Sequence, residues 1–310
     1  MTEFELINRL KPLLPSNDFV VAGAGDDCAI LDLGAPDLTL FKTDAVVEGI
    51  HFTPAIEPER VGHKALGRCL SDVAAMAGWP VAAVVTLGLP REFDPARIEG
   101  LYRGLGRLAS RYQVAIVGGE TTSNPDRLLV SVSVVGRVPR DRVVRRSGLE
   151  PGDALFVTGE LGGSLAGRHL DFEPRLTEAQ WLAETVPLRA MMDLSDGLAG
   201  DLPHLLAASG GHGAALFQGA LPVSRAAKMA ARAGDLAKPA IVAALTDGED
   251  FELLFGIAPG RTVALMDSWK LRFPGTRLSC IGRVTREPGI RLWDKNGVRP
   301  LNARGYEHFR

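Results

Sequence analysis

DLTLFKTD (residues 37–44), a helix-sized stretch from Glu59 to Ala77 and VAAVVTLGL (81–89) follow one another along the chain, and this strand–helix–strand order decides the fold class. The outer two are apolar-rich runs of strand length, whereas the middle one is too long for a strand. Working outward, a second helical pattern over 94–112 leads into VAIVGG (114–119). RLLVSVSVVGRV (127–138) then alternates Val and Ser with a period of two, the mark of a half-buried strand. Strands interleaved with helices predict an α/β or α+β protein. RVPRDRVVRRSGLEPGD (137–153) breaks this pattern, being basic, Pro- and Gly-containing and aperiodic. It is read as the boundary between an N-terminal domain over 1–138 and a C-terminal domain over 150–310. Past it come a strand (154–159), the glycine-rich ELGGSLAGR (160–168), helices at 177–185, 197–209 and 224–233, and strands at 214–217, 251–257, 278–284 and 290–293. No internal sequence repeat is visible.

A chain of 310 residues is long enough for two domains with separate cores. With 46% hydrophobic and 23% charged residues it is a globular protein rather than a disordered one. A formal charge of −2 provides no basic field for nucleic acid or anionic lipid, so neither is expected as a partner. Three cysteines, at 28, 69 and 280, form no C-x-x-C and no even framework, which argues against a disulfide scaffold and a Cys-based zinc site and for a reducing compartment. The first fifteen residues read as a short amphipathic helix rather than a signal peptide, and no apolar run reaches membrane-spanning length, so a cytoplasmic location is expected. Walker A, H-E-x-x-H and G-x-S-x-G signatures are absent. A G-x-G-x-x-A at Gly104, Gly106 and Ala109 falls inside a helical pattern (Ile98, Leu101, Leu105, Leu108) and is not a dinucleotide loop.

The most informative feature is a series of acids set beside glycine at element ends: GDDCA (Asp26, Asp27), KTD (Asp44), SDVAAMAG (Asp72), GGET (Glu120), DLSDG (Asp193, Asp196) and GEDFELL (Glu249, Asp250). Converging carboxylates repel one another and raise their own pKa values unless cations neutralise them. An all-oxygen donor set selects Mg²⁺, Ca²⁺ or Mn²⁺ over zinc, and magnesium with few protein ligands serves a phosphate substrate. GGSLAG (162–167) reads either as a backbone phosphate cradle or as a plain strand-to-helix turn. Arg145 and Arg146 in the boundary loop are candidates to hold a nucleotide phosphate. His51, seven residues after Asp44, is a candidate to line the same pocket.

In order, GAGDDCA, TDAVVEGIHF, KALGRCLSDVAAMAG, IVGGET, RRSGLEPGD, VTG, MDLSDGLAGDL, GEDFELL and GYEHF run nearly the whole chain. This set resembles the thiamine-monophosphate kinase family, in the superfamily of aminoimidazole ribonucleotide synthetase, selenophosphate synthetase and a hydrogenase-maturation protein. The resemblance implies a two-domain aminoimidazole ribonucleotide synthetase-like architecture, with the N-terminal sheet pairing across a homodimer and the C-terminal domain covering the active-site cleft. It implies ATP-dependent phosphorylation of thiamine monophosphate to thiamine diphosphate. Asp26 or Asp27, Thr43, Asp44, Asp72, Asp193 and Asp196 would bind several Mg²⁺ ions bridging ATP and the acceptor phosphate, with Asp44, Asp72 and Asp196 central to catalysis. Tyr102, Gly118, Gly119, Arg146 and Ser195 would contact the nucleotide, and His51, Glu249 and Tyr306 the thiamine phosphate.

Two positions depart from the family's pattern: Lys42 where it usually has Ser, and Glu120 where it usually has Asp. Glu120 keeps the charge and a metal role but moves its carboxylate one methylene further out. Phosphoryl transfer is mostly positioning and charge neutralisation, and an acceptor phosphate with a second pKa near about 6 is already ionised at neutral pH. Direct in-line attack therefore needs no general base, which agrees with a chain that has many acids and no Ser/His or Cys/His pair. The competing readings are a sibling ATP-dependent synthetase and an inactive protein that binds nucleotide and magnesium. Cys28 is read as a small buried side chain rather than a reactive one.

Overall fold

The computed structural model describes residues 3–234, 238–302 and 305–306. The chain divides into two compact units, Asp18–Val143 with Leu170–Leu176, and Val144–His169 with Thr177–Arg310 and the N-terminal Met1–Asn17. They are called the N-terminal and C-terminal units below. Both are mixed α/β.

The elements run α1 (Glu3–Leu10), β1 (Val20–Ala22), β2 (Ala29–Leu31), β3 (Asp37–Val47), α2 (Pro58–Ala75), β4 (Trp79–Leu89), α3 (Pro95–Arg111), β5 (Ala115–Ser123) and β6 (Leu129–Pro139). The C-terminal half continues with β7 (Ala154–Thr158), α4 (Arg168–Asp171), α5 (Leu176–Thr185), β8 (Leu188–Asp193), α6 (Leu198–Ala208), β9 (Gly213–Phe217), α7 (Arg225–Ala233) and α8 (Ala240–Thr246). It closes with β10 (Leu253–Ile257), α9 (Thr262–Arg272), β11 (Leu278–Thr285), β12 (Ile290–Asp294) and β13 (Gly297–Pro300).

In the N-terminal unit the strand order is β1-β2-β3-β6-β4-β5. β3 and β6 pair antiparallel over their full length, from Asp37 opposite Pro139 to Val47 opposite Leu129. The Val/Ser alternation sends Val130, Val132 and Val134 into the core and Ser131 and Ser133 to the other face. Against the core face lies α2, whose Leu66, Cys69, Leu70 and Val73 are buried, with α3 packed beside it. The two helices approach closely because Gly62 and Gly104 sit at their contact. A Cβ on Gly104 would lie 1.9 Å from the Glu59 carbonyl oxygen, and one on Gly62 2.0 Å from that of Leu101. The G-x-G-x-x-A is thus a helix-packing feature. The segment 170–176 completes this unit: Phe172 packs edge-on to His63 and accepts a hydrogen bond from its Nε2 at 2.7 Å, while Arg60 binds Asp171 and Arg111 binds Glu173.

The C-terminal unit has the strand order β13-β12-β9-β11-β7-β10-β8. Its core joins Leu155, Val157, Met192, Leu254 and Ile281 of the sheet to Leu198, Leu202 and Leu205 of α6. Every residue of β7 and β10 is buried, so both lack alternation. Among the described residues, no helix is long and apolar enough to cross a membrane.

Candidate active site

In the N-terminal unit the site residues are set by the period of β3. Alternation puts Lys42 and Asp44 on the inner face with Leu38, Leu40 and Val46, facing α2. Asp72, buried in the last turn of α2, meets them there. Lys42 Nζ donates to Asp72 Oδ1 at 2.9 Å, and Arg68 Nε lies 3.7 Å from Asp44 Oδ2. Burial alone would lower the Lys42 pKa, but the Asp72 and Asp44 carboxylates outweigh it and hold the ammonium well above its ordinary value. Two carboxylates and two cations thus share one side of the sheet. The same alternation turns Thr43 outward, where its hydroxyl accepts a hydrogen bond from Ser133 Oγ at 3.0 Å, so its side chain stands on the face opposite Asp44.

Asp26 and Asp27 lie between β1 and β2, with Asp27 fully buried. A carboxylate oxygen of Asp27 and one of Asp72 lie within 4.8 Å of each other. Two hard carboxylate oxygens this near one another are the donor type that Mg²⁺ takes. Cys28 and Cys69 are buried beside these acids, and burial, reinforced by the Asp72 charge at both and by Asp44 at Cys69, pushes both thiols well up. They are neutral packing groups, not nucleophiles.

His51 closes a tight turn, its Nδ1 accepting the Val47 N–H at 3.0 Å and its carbonyl accepting from the fully buried Lys64 ammonium at 2.7 Å. Gly118, Gly119 and Glu120 lie on the exposed edge strand β5, in register with Val84, Val85 and Thr86 of β4. Gly119 is required for that pairing, since a Cβ there would fall 1.8 Å from the Val85 carbonyl oxygen, whereas one on Gly118 would meet open space. Tyr102 stands on the exposed face of α3, away from the buried stripe Leu101, Leu105 and Leu108, and burial of part of its ring raises its phenol pKa.

In the C-terminal unit, β8 delivers Asp193 and the loop before α6 carries Ser195 and Asp196. The Asp196 N–H donates to Asp201 Oδ2 at 3.0 Å. Asp201, in the first turn of α6, is fully buried; burial and then the Asp196 and Asp193 charges push its carboxyl well up, with Arg146 pulling it down. Asp193, Asp196, Asp201 and Arg146 therefore form one electrostatic group. The Ser209 hydroxyl pins the Arg146 carbonyl at 3.2 Å.

Glu249 takes a left-handed backbone (φ 62°) that is strained for a non-glycine residue. The Glu249 N–H donates to the Ser195 carbonyl at 2.6 Å, and Glu249 Oε2 is 2.8 Å from His169 Nδ1. The Tyr306 N–H donates to the Asp196 carbonyl at 3.0 Å, which brings an exposed aromatic ring to the Ser195–Asp196 loop.

GGSLAG is the plain turn of the two alternatives. Its N–H donors are already taken, Gly162 by the Asp250 carboxylate at 3.0 Å and Gly163 by Asp247 Oδ2 at 2.7 Å. Sequence reasoning missed Asp201, Arg68, His169 and Lys64. Only Asp201 had a local signal, falling five residues after Asp196 at a helix start.

The model of the AIR synthase related protein N-terminal domain matches residues 25–138. The chain is 40% identical over 286 residues to a protein of Rhodopirellula baltica named thiamine-monophosphate kinase, covering 89% of this chain and 86% of that one. It is similar to a solved structure described as AaThiL complexed with AMPPCP and TMP, with a TM-score of 0.83 at 31% identity over 99% and 97% of the two chains. It is also similar to the crystal structure of thiamine monophosphate kinase from Aquifex aeolicus, with a TM-score of 0.76 at 30% identity over 99% of both chains.

Proposed function

The chain belongs to the thiamine-monophosphate kinase family, and from that premise we propose that it transfers the γ-phosphoryl group of ATP to thiamine monophosphate in one direct in-line step. It is a phosphotransferase that makes thiamine diphosphate. The acceptor phosphate, doubly ionised at neutral pH, attacks the γ-phosphorus; the new P–O bond forms as the bond to ADP breaks, and no proton need be removed.

The observation that carries this reading is the all-carboxylate donor sets on known elements: Asp26, Asp27, Asp44 and Asp72 in one unit, Asp193, Asp196 and Asp201 in the other. They would hold magnesium, which when bound neutralises phosphate charge. Gly118, Gly119 and Tyr102 in one unit and Ser195 and Arg146 in the other are the proposed nucleotide contacts. His51 in one unit and Glu249 and Tyr306 in the other are assigned to the thiamine phosphate, a carboxylate and an aromatic ring being suited to a cationic thiazolium. AMPPCP, a methylene-bridged ATP analogue, and TMP in the solved relative support the substrate pair. Three free cysteines support a reducing cytoplasmic setting.

Incubation with ATP, Mg²⁺ and thiamine monophosphate is expected to yield thiamine diphosphate and ADP in equal amounts by chromatography. ATP hydrolysis without thiamine diphosphate would overturn the assignment, and a phosphorylated protein trapped during turnover would overturn the direct route.

A second copy is proposed to pair on the outer face of the N-terminal sheet. Phe41 opposes Val135 there and Val84 shares that face, at 47%, 40% and 40% exposure, which leaves an apolar surface for a partner of the same chain. Sedimentation at micromolar concentration is expected to give a dimer, with Phe41→Asp shifting it to monomer. A wild-type monomer would refute this pairing.

A further inference from the structure

We infer that Lys42 occupies the place of one divalent cation at Asp72, so that the chain binds one metal ion fewer than it would with a neutral residue there. This rests on the magnesium reading of Asp27 and Asp72 given above. The ammonium lies 2.9 Å from Asp72 Oδ1, the distance of a full charge-assisted hydrogen bond. Lys42 and Asp44 share the inner face of β3, which pairs with β6 along its whole length, so the ammonium is delivered by a regular strand and not by a loop.

The charge count favours the same conclusion. Asp44 and Asp72 carry two negative charges, and Lys42 with Arg68, 3.7 Å from Asp44, carries two positive ones. A divalent ion entering this balanced quartet would have to displace a tethered cation or sit beside it, and like charges at that range repel. Asp26 and Asp27 extend the carboxylate set beyond the quartet, so Asp72 still shares one metal place with Asp27, and the second place is the one the ammonium fills.

Asp72 has a further need for a fixed cation. It stands in the last turn of α2, a turn with no basic residue of its own, where the helix end already carries partial negative charge. Lys42 supplies the missing positive charge from the neighbouring strand. Unlike a dissociable ion, it is present at every metal concentration.

The test counts Mn²⁺ ions bound to the full chain without nucleotide, by electron paramagnetic resonance of free Mn²⁺, in wild type, Lys42→Ser and Lys42→Arg. Lys42→Ser is expected to bind one Mn²⁺ more per chain than wild type, and Lys42→Arg to keep the wild-type count. In a chelator Lys42→Ser is expected to melt below wild type, and Mn²⁺ to restore it, with a smaller shift for wild type. An equal count in wild type and Lys42→Ser overturns the inference and leaves the magnesium reading standing. No Mn²⁺ binding by either overturns both. Lys42→Gln carries the same comparison if Lys42→Ser does not fold, and failure of both neutral variants to fold even with Mn²⁺ also refutes the inference, because the divalent ion would then be unable to replace the ammonium.

Discussion

Asp44→Asn is expected to lower kcat for thiamine diphosphate formation by roughly 10²–10³-fold, the scale of losing one well-placed electrostatic group, while leaving the fold in place. Asparagine has the same shape, so the inner face of β3 keeps its packing. The charge balance changes instead: Lys42, Arg68 and Asp72 are left with a net positive charge where a magnesium phosphate must be received. The loss of stability should be small. The Asp44 side chain is 24% exposed and its contact with Arg68 is long, at 3.7 Å, so solvent screens the pair and about 1 kcal/mol or less is at stake. Steady-state product formation and a urea transition on the same preparation separate the two effects. Turnover near that of wild type would remove Asp44 from the catalytic assignment.

Arg168→Met acts in the opposite sense, on stability rather than directly on chemistry. The guanidinium is 2.5 Å from Asp250 Oδ1 and 3.5 Å from Glu252 Oε1, both carboxylates fully buried, and it also holds the Glu160 carbonyl at 2.7 Å. Removing one partner of a buried pair costs about 3–5 kcal/mol, and the lower end applies because Arg168 itself is 34% exposed. Burial pushes the Asp250 carboxyl up to about 7, with the Arg168 charge and the Gly162 N–H pulling it down. A carboxyl raised in the folded state above its unfolded value of about 4 stabilises fully below that unfolded value, and the stabilisation is lost as pH rises through the folded pKa. Without the guanidinium the folded value climbs further. The variant should therefore lose more stability at pH 8 than at pH 5.5, and denaturant midpoints at the two pH values check this. An equal loss at both would show that Asp250 is not the titrating group.

How much of this was legible depended on whether the signal was local. The strands β3 and β6 and the helices α2 and α3 follow from periodicity, and the period-two rule already places Lys42 with Asp44 and turns Thr43 away. β8 was not legible: LRAMMD contains Ala and Met, both good helix formers, and four of its six residues are buried without alternation. β1 and β2, three residues each, are too short for a pattern to form. The acids of the site were visible as a set because each sits beside a glycine or at an element end. Their partners were not, since His169 lies eighty positions before Glu249 and Arg68 reaches Asp44 from another element. GGSLAG shows the limit most clearly, because the carboxylates that take its N–H groups come from residues 247 and 250, far along the chain.

The return of residues 170–176 to the N-terminal unit has a consequence for the order in which the protein can be made. Asp171, Phe172 and Glu173 bind Arg60, His63 and Arg111, yet the body of that unit ends at Val143. On the ribosome, at about 5–20 residues per second, roughly 2–7 seconds separate the emergence of Val143 from that of Leu176. During that interval the Arg60, His63 and Arg111 side chains wait without their clasp, and synthesis has already begun on the next unit. The first half of the chain is therefore finished by a piece of the second, and a message cut at the apparent boundary would encode a unit with its clasp missing.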